Sequence, residues 1–208
     1  MKRSDFHLPT RREFIGRACV SLAGLSILGC GTQRLADVAA RSDEQPPANL
    51  SWRTTITGKD EPGEPLIVSG RIFDADGRTP LSGITLYVYH TDARGKYSDQ
   101  PYDGRGTPPT PRLRGWMRTD ASGRYEFTTI KPAAYANRTN PAHIHSSASG
   151  AGYRERWIDE FWFAGDPLLT EAMRARHEGS GSFSPIMLIR RDGNGLLRCT
   201  RDIRLERL

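Results

Sequence analysis

Short segments rich in β-branched and aromatic residues, separated by turn-forming residues, limit the possible folds of this chain more than any other feature. The segments cover residues 66–73, 84–90, 125–130, 186–189 and 196–205. The last two flank Asp192-Gly-Asn-Gly, which is a strong β-hairpin signal. Several short strands at this spacing predict an all-β fold with an antiparallel β-sandwich or barrel-like core. Only one short helix is expected, at Leu168–His177, where Glu, Ala, Met and Arg replace strand formers.

The first 29 residues carry the pattern of an export signal. Thr10-Arg11-Arg12-Glu13-Phe14 is a twin-arginine motif, and an apolar stretch from Ala18 to Gly29 follows it. That stretch is shorter than the ~20 apolar residues that a transmembrane helix requires. We therefore expect residues 1–29 to form a twin-arginine signal peptide and the protein to be exported to the periplasm or cell envelope.

The residues after the signal predict a lipid anchor and a tether. Residues 25–30 look like a bacterial lipobox, in which Cys30 would be lipidated and become the new N-terminus. Cleavage after Ala40 is the competing interpretation. Because residues 30–50 are polar and contain two adjacent prolines, they predict a flexible tether. The folded domain is expected at residues 51–208.

The composition of the mature chain argues against a disulfide scaffold and against nucleic-acid binding. With Cys30 as the lipid site, Cys199 is the only cysteine left in the domain, so the fold has to rely on its own core. Without residues 1–29, 25 basic residues face 22 acidic ones, a net charge of +3. Such a balance, without aromatic residues interleaved in a basic stripe, gives no support to a nucleic-acid partner.

A tyrosine and two histidines lie close together in the sequence and suggest a metal site. In an extended strand, His143 and His145 point to the same face while Ile144 faces the other way. The histidine pair alone is equally consistent with two hydrogen-bonded or exposed imidazoles. Tyr135 stands eight residues before His143 and adds a phenol to the pair.

A second phenol comes from another turn. The segment Thr91–Tyr97 is repeated in pattern by Thr119–Tyr125, and in both an Asp-x-x-Gly turn precedes the tyrosine. Tyr125 continues into a strand, whereas Tyr97 is followed by polar residues and does not continue a buried strand. Two imidazoles and two phenols form an N2O2 ligand set. Phenolate is a hard anionic donor, so this set favours ferric iron over zinc.

Four segments, in this order, resemble the intradiol ring-cleavage dioxygenases, the catechol and protocatechuate dioxygenase family. The segments are Gly83–Tyr97, Arg114–Tyr135, Pro141–His145 and Phe161–Leu168. The resemblance extends from about Val68 to the C-terminus.

The resemblance implies a mononuclear non-haem Fe(III) site with solvent as a further ligand. The implied protein ligands are Tyr97, Tyr135, His143 and His145. It also implies that a catechol chelates the metal while Tyr135 leaves it and helps to take up a substrate proton. Cleavage by O2 between the two hydroxyl-bearing carbons would give a muconate-type diacid. The resemblance leaves a homo-oligomer open, since family members often form dimers or larger assemblies.

Two positions depart from the family pattern. Asn140 stands where the family commonly has an arginine that stabilises negative charge on the substrate, and Arg138 is the nearest replacement. We therefore expect Arg138 to act as a catalytic residue beside Tyr135. Glu160 stands where the family often has glutamine; its carboxylate would pair with Arg138 or oppose the binding of a dianionic catechol. These departures keep open a catalytically silent iron-binding lipoprotein.

A small prealbumin-like binding module is the remaining alternative. It accounts for residues 68–130 but leaves Tyr135, His143 and His145 without a role. If the protein is an enzyme, the segment from Asp99 to Arg114, rich in Pro, Gly and Arg, is expected to wall the substrate pocket.

Overall fold

The structure is a computed structural model that describes residues 45–99 and 110–207. Within these ranges it contains eleven β-strands, one α-helix and one 3₁₀ turn. The predicted signal peptide, the lipid site at Cys30, the alternative cleavage after Ala40 and most of the tether lie outside the described residues. None of the helices in the described ranges is long and apolar enough to cross a membrane.

The first sheet is built on a long antiparallel pair. In spatial order it contains β1 (Arg53–Thr55), β5 (Arg124–Ile130), β2 (Pro65–Phe73), β10 (Leu197–Thr200) and β9 (Arg190–Arg191), and β11 (Ile203–Arg204) also pairs with β2. β2 and β5 are antiparallel over seven residue pairs. β1, β10 and β11 join this pair in parallel.

The second sheet carries the histidine pair near its centre. Its spatial order is β4 (Leu113–Arg118), β3 (Thr85–His90), β6 (His143–Gly150), β7 (Tyr153–Phe163) and β8 (Ile186–Met187). The first four strands are antiparallel, and β8 pairs with β7 in parallel. The strand that bears His143 and His145 therefore has a partner on both sides.

The two sheets pack through their apolar faces. Alternate residues of β3, such as Leu86 and Val88, are fully buried, as the period of two in a strand requires. Across the interface, Phe127 of β5 meets Phe161 of β7 edge to face with 6.2 Å between ring centroids. Burying one such side chain fully contributes roughly 1.5–3 kcal/mol to the free energy of unfolding. These contacts confirm the predicted all-β sandwich.

The predicted helix and hairpin are also present. The helix, α1, is shorter than the predicted range and covers Glu171–Ala175, and the Thr170 hydroxyl oxygen caps it by accepting from the Met173 amide at 3.2 Å. At the predicted hairpin, the Asp192 carbonyl accepts from the Gly195 amide at 2.9 Å, and β9 and β10 are antiparallel. The parallel strand pairs were not predicted, because a strand pattern carries no information about the direction of its partner.

Candidate metal centre

Strand β6 presents both histidines to one point. His143 and His145 are its first and third residues, and their side chains share the face opposite the fully buried Ile144. Their Nε2 atoms are 3.0 Å apart, and their rings are nearly perpendicular, at 82°. Only 6% of His143 and 8% of His145 is exposed, so both nitrogens are largely shielded from water.

The two tyrosines that the sequence singles out reach the same point from separate loops. The Tyr135 hydroxyl lies 3.0 Å from His143 Nε2 and 3.1 Å from His145 Nε2. The Tyr97 hydroxyl lies 2.5 Å from the Tyr135 hydroxyl and 2.8 Å from His145 Nε2. The structure therefore brings all four predicted ligands together.

Hydrogen bonds alone do not account for this cluster. At least five contacts of 2.5–3.1 Å join the four donor atoms, yet with His143 neutral and its Nδ1–H donated to the Pro141 carbonyl these atoms carry at most three protons between them. Donor atoms about 2.0–2.1 Å from one ion and at right angles to each other are about 3 Å apart, which is close to the spacing found here. In the described part of the chain no group of three His, Cys, Asp or Glu could hold a metal ion, so a metal at this centre would need the tyrosines as ligands.

His143 is held in the form that a metal needs. Its Nδ1–H donates to the Pro141 carbonyl at 2.6 Å, which leaves the lone pair on Nε2 facing the cluster. Burial lowers the pKa of His143, against weaker opposing effects of the Pro141 carbonyl and of the Glu160 and Asp166 carboxylates. The imidazole is therefore neutral at neutral pH, as metal binding requires.

Tyr89 of β3 supports the other histidine. Its ring stacks on the His145 imidazole with 4.7 Å between centroids and 16° between planes. Trp157 of β7 approaches the same imidazole edge to face at 6.5 Å. From the sequence, Tyr89 was predicted only as a strand residue. The alternation along β3, which puts Tyr89 on the face opposite Val88, could have indicated that its ring faces the cluster.

The loops that carry the tyrosines are locked to each other. Gly95 has φ +78°, and a Cβ atom there would lie 2.2 Å from the Ala134 carbonyl oxygen. The Asp92 carbonyl accepts the Gly95 amide at 3.1 Å and closes the turn that delivers Tyr97. Because Ala134 directly precedes Tyr135, only a glycine at position 95 lets the two loops approach closely enough for the phenols to meet.

Comparison with known proteins places this architecture in a family. A family model described as "Dioxygenase" matches residues 42–179. Over 114 residues the chain is 39% identical to the protocatechuate 3,4-dioxygenase beta chain of Burkholderia cepacia, covering 51% of this chain and 48% of that protein. The chain belongs to the intradiol ring-cleavage dioxygenase family.

Further comparisons agree with this family assignment. It is 31% identical over 137 residues to catechol 1,2-dioxygenase of Acinetobacter baylyi, covering 58% of this chain and 43% of that protein. The dioxygenase domain of a dioxygenase and carbohydrate-binding protein fusion from Streptomyces sp. SirexAA-E superposes with a TM-score of 0.55 at 25% identity, covering 80% of this chain and 96% of that domain. This chain thus spans about half the length of the first relatives but nearly all of the solved domain.

The two departures from the pattern of intradiol dioxygenases remain departures in the structure. Arg138 lies in an exposed turn with φ +53°, and its amide donates to the Tyr135 carbonyl at 2.8 Å. Within the described residues its guanidinium makes no hydrogen bond or ion pair, with Glu160 or any other group. Asn140 is half-buried. The catalytic role expected for Arg138 stays a prediction.

Asp166 is a second residue near the cluster to which the sequence alone assigns no role. Its Oδ2 accepts from the Ala142 amide at 3.0 Å, and its Oδ1 accepts from the Leu168 amide at 2.8 Å. The carboxylate thereby fastens the residue before His143 to the turn after β7. Gly165-Asp166-Pro167 was noticed only as part of the segment Phe161–Leu168 that resembles the family. Its contact with β6 could not be predicted, because it depends on the tertiary fold.

The expected wall of the substrate pocket lies partly outside the described residues, which omit 100–109. At its end, Arg112 forms a bidentate ion pair with Glu61, with N–O distances of 2.5 and 2.8 Å. The hydrogen bonds from Arg112 hold the pKa of Glu61 below its usual range. Arg112 therefore has a carboxylate partner within the protein.

Proposed function

We propose that this protein is a non-haem Fe(III)-dependent intradiol dioxygenase that uses O2 to cleave a catechol-type aromatic diol to a muconate-type diacid. The observation that carries the proposal is the convergence of the Tyr97 and Tyr135 hydroxyls with Nε2 of His143 and His145. The names of the relatives support it, since they act on protocatechuate and catechol.

The donor set supports iron as the metal. Two phenol oxygens and two imidazole nitrogens combine hard anionic donors with borderline ones. This set suits ferric iron better than zinc, whose sites are more often rich in sulfur or carboxylate ligands. When bound, a ferric ion would supply the Lewis acidity that holds the phenols as phenolates and activates the diol. His143 and His145 would hold it as neutral ligands.

Tyr135 has the position of a base. Its oxygen contacts the other three donor atoms, as His145 Nε2 also does, and only 8% of the residue is exposed. Such an oxygen can take a proton from an entering diol while Tyr97, His143 and His145 keep their places. The burial of the site would keep water from competing with the substrate.

Iron loading followed by oxygen uptake tests the proposal. The purified mature protein, reconstituted with ferric salt, should absorb visible light through its tyrosinates and consume O2 with catechol, hydroxyquinol or protocatechuate. A colourless, iron-free product would overturn the metal centre. A coloured protein that consumes no O2 with any of the three would instead support the silent iron-binding lipoprotein, which the exposed position of Arg138 favours.

We also propose that the protein is exported by the twin-arginine route and anchored to the cell envelope by lipid at Cys30. The motif at Arg11-Arg12 and the lipobox that ends at Cys30 support this proposal. Mass spectrometry of the protein from membranes should show a lipidated N-terminal Cys30. A mature N-terminus at residue 41 would support cleavage after Ala40 and exclude the anchor.

A further inference from the structure

The ladder between β6 and β7 is interrupted at one of the proposed ligands. Ile144 pairs with Phe161 and Ser146 pairs with Ile158, so the single residue His145 faces two residues of β7, Asp159 and Glu160. This is a β-bulge, an irregularity that bends a strand and redirects side chains, and that is frequent beside active sites. The conformation of the bulge therefore helps to set where the His145 imidazole points.

A buried arginine from the other end of the chain holds this bulge. Arg201 Nη1 donates to the Asp159 carbonyl at 2.7 Å and lies 3.3 Å from the Glu160 carbonyl. The Arg201 guanidinium carbon also lies 4.5 Å from the centroid of the Phe161 ring. One guanidinium thus contacts three consecutive residues of β7 at the bulge.

The bulge needs donors that no neighbouring strand supplies. On its outer side β7 pairs with β8 only at Trp162 and Phe163 within the described residues. Backbone carbonyls without a strand partner take their hydrogen bonds from side chains or water, and here a side chain takes the place of the missing strand. Arg201 meets this need with a cation on two carbonyls, which makes strong charge-assisted hydrogen bonds.

Arg201 is itself fixed by the first sheet. Its amide donates to the Ser69 carbonyl of β2 at 2.9 Å, and its carbonyl accepts from the Tyr125 hydroxyl of β5 at 2.6 Å. The residue is 4% exposed and forms no ion pair with a carboxylate in the described part of the chain. Keeping a cation buried without a carboxylate is expensive, because burial opposes its charge and lowers the pKa of Arg201. Packing of the two sheets alone therefore does not explain why a cation is buried at this position.

We propose that Arg201 is a positioning residue for the metal centre, which holds the Asp159–Glu160 bulge and thereby fixes the orientation of His145. This inference rests on the proposed function, since it assigns Arg201 a role in holding a metal ligand. In the described part of the chain the Arg201 side chain contacts the bulge and the Phe161 ring but none of the four donor atoms, so its effect on them is transmitted through β7.

Substitution of Arg201 with a matched control tests the proposal. Arg201→Met removes the donors and keeps most of the apolar length, while Arg201→Lys keeps a cation that can reach one carbonyl. Tyr125→Phe is the control, because it removes the hydrogen bond to the Arg201 carbonyl but leaves the guanidinium on the bulge. Competition with an iron chelator gives the affinity for ferric iron, and the visible band reports on the ligand geometry.

We expect Arg201→Met to bind iron about 10- to 100-fold more weakly and to shift the visible band, as changes next to metal ligands usually do. Arg201→Lys should recover part of the affinity, and Tyr125→Phe should keep the affinity within about twofold while lowering the melting temperature. Equal affinities and bands in Arg201→Met and Tyr125→Phe would overturn the proposal. Arg201→Lys, the milder change, supplies the comparison if Arg201→Met does not fold.

A measurement without iron separates this inference from the proposed function. Amide hydrogen exchange in the iron-free protein should be faster at residues 158–161 in the Arg201 variant than in Tyr125→Phe. If the wild type binds no iron but the two variants differ in this way, the proposed function fails, while the role of Arg201 in holding the bulge is supported. If the wild type binds iron and exchange at the bulge does not change, the role of Arg201 is wrong.

Discussion

At the scale of single residues, the two tyrosines of the cluster differ in their surroundings. The Tyr135 hydroxyl lies within 3.1 Å of the other three donor atoms and the residue is buried, whereas Tyr97 is half-buried. Both oxygens would bind the metal, but the more enclosed one is better placed to exchange a proton with a diol. Removing either oxygen should therefore alter the colour of the iron protein, and removing that of Tyr135 should also slow turnover.

Tyr97→Phe and Tyr135→Phe make this a direct test, since each keeps the ring and deletes only the oxygen. Both iron-loaded variants should show a weaker and shifted visible band. If the wild type turns over, kcat of Tyr135→Phe should fall about 10²- to 10⁴-fold, the usual contribution of a positioned base. Tyr153→Phe is the control, because Tyr153 packs in the core and contacts Arg207 rather than the cluster. A wild-type spectrum in Tyr135→Phe would remove that residue from the ligand set.

At the scale of elements, the approach of two loops decides whether the phenols meet. Gly95 and Gly152 have nearly the same backbone conformation, with φ of +78° and +79°. A Cβ at Gly152 has no atom within 4 Å, whereas a Cβ at Gly95 would collide with the Ala134 carbonyl oxygen. The two positions therefore separate the cost of positive φ from the cost of pushing the loops apart.

Gly152→Ala should lower the free energy of unfolding by about 1–2 kcal/mol through backbone strain alone. Gly95→Ala should lose that amount plus a further ~1–3 kcal/mol from the collision. Because Ala134 precedes Tyr135, Gly95→Ala should also weaken the visible band of the iron-loaded protein, and Gly152→Ala should leave it unchanged. Urea unfolding and absorption spectra check both expectations. Equal losses of stability with intact bands would show that the loops are not locked at Gly95.

Sequence predicted the parts of this molecule that depend on local periodicity. The spacing of His143 and His145 along one strand and the turn at Asp192 require only neighbouring residues, and the structure contains both arrangements. The contact of Arg201 with the bulge at Asp159 could not be predicted, because it depends on strand register and joins residues 42 positions apart. The resemblance identified the four proposed ligands, but not the groups that hold them.

At the scale of the whole molecule, His90 joins the two sheets. It ends β3 of the second sheet and is fully buried. Its Nδ1–H donates to the Thr91 carbonyl at 2.7 Å, so Nε2 accepts from the Thr129 hydroxyl of β5, in the first sheet, at 2.6 Å. Burial lowers the pKa of His90 to about 4. The hydrogen bond that Nε2 accepts from Thr129 thus depends on a neutral imidazole, whereas the bond from Nδ1–H to the Thr91 carbonyl also suits the charged form.

This arrangement predicts how the stability of the iron-free protein depends on pH. The pKa of His90 falls from 6.5 in the unfolded chain to about 4 in the fold, so the unfolded chain takes up the proton first as the pH decreases. The contribution of neutral His90 to the free energy of unfolding is therefore complete above pH 6.5. It is lost as the pH falls towards 4, by up to ~3 kcal/mol. Urea unfolding at several pH values across this window measures the loss.

His90→Gln should flatten this pH dependence without abolishing it. The charged and titratable groups that act on His90 are Glu61, Arg112 and His143, and the lowered pKa of His143 contributes a loss in the same direction. The variant should be less stable than the wild type at neutral pH, since the joint between the sheets is weakened, yet lose less on acidification. His177→Gln, which removes a half-buried imidazole outside the sandwich core, should follow the wild-type curve. If the stability of His90→Gln falls with pH in parallel with that of the wild type, the loss at low pH arises from groups other than His90.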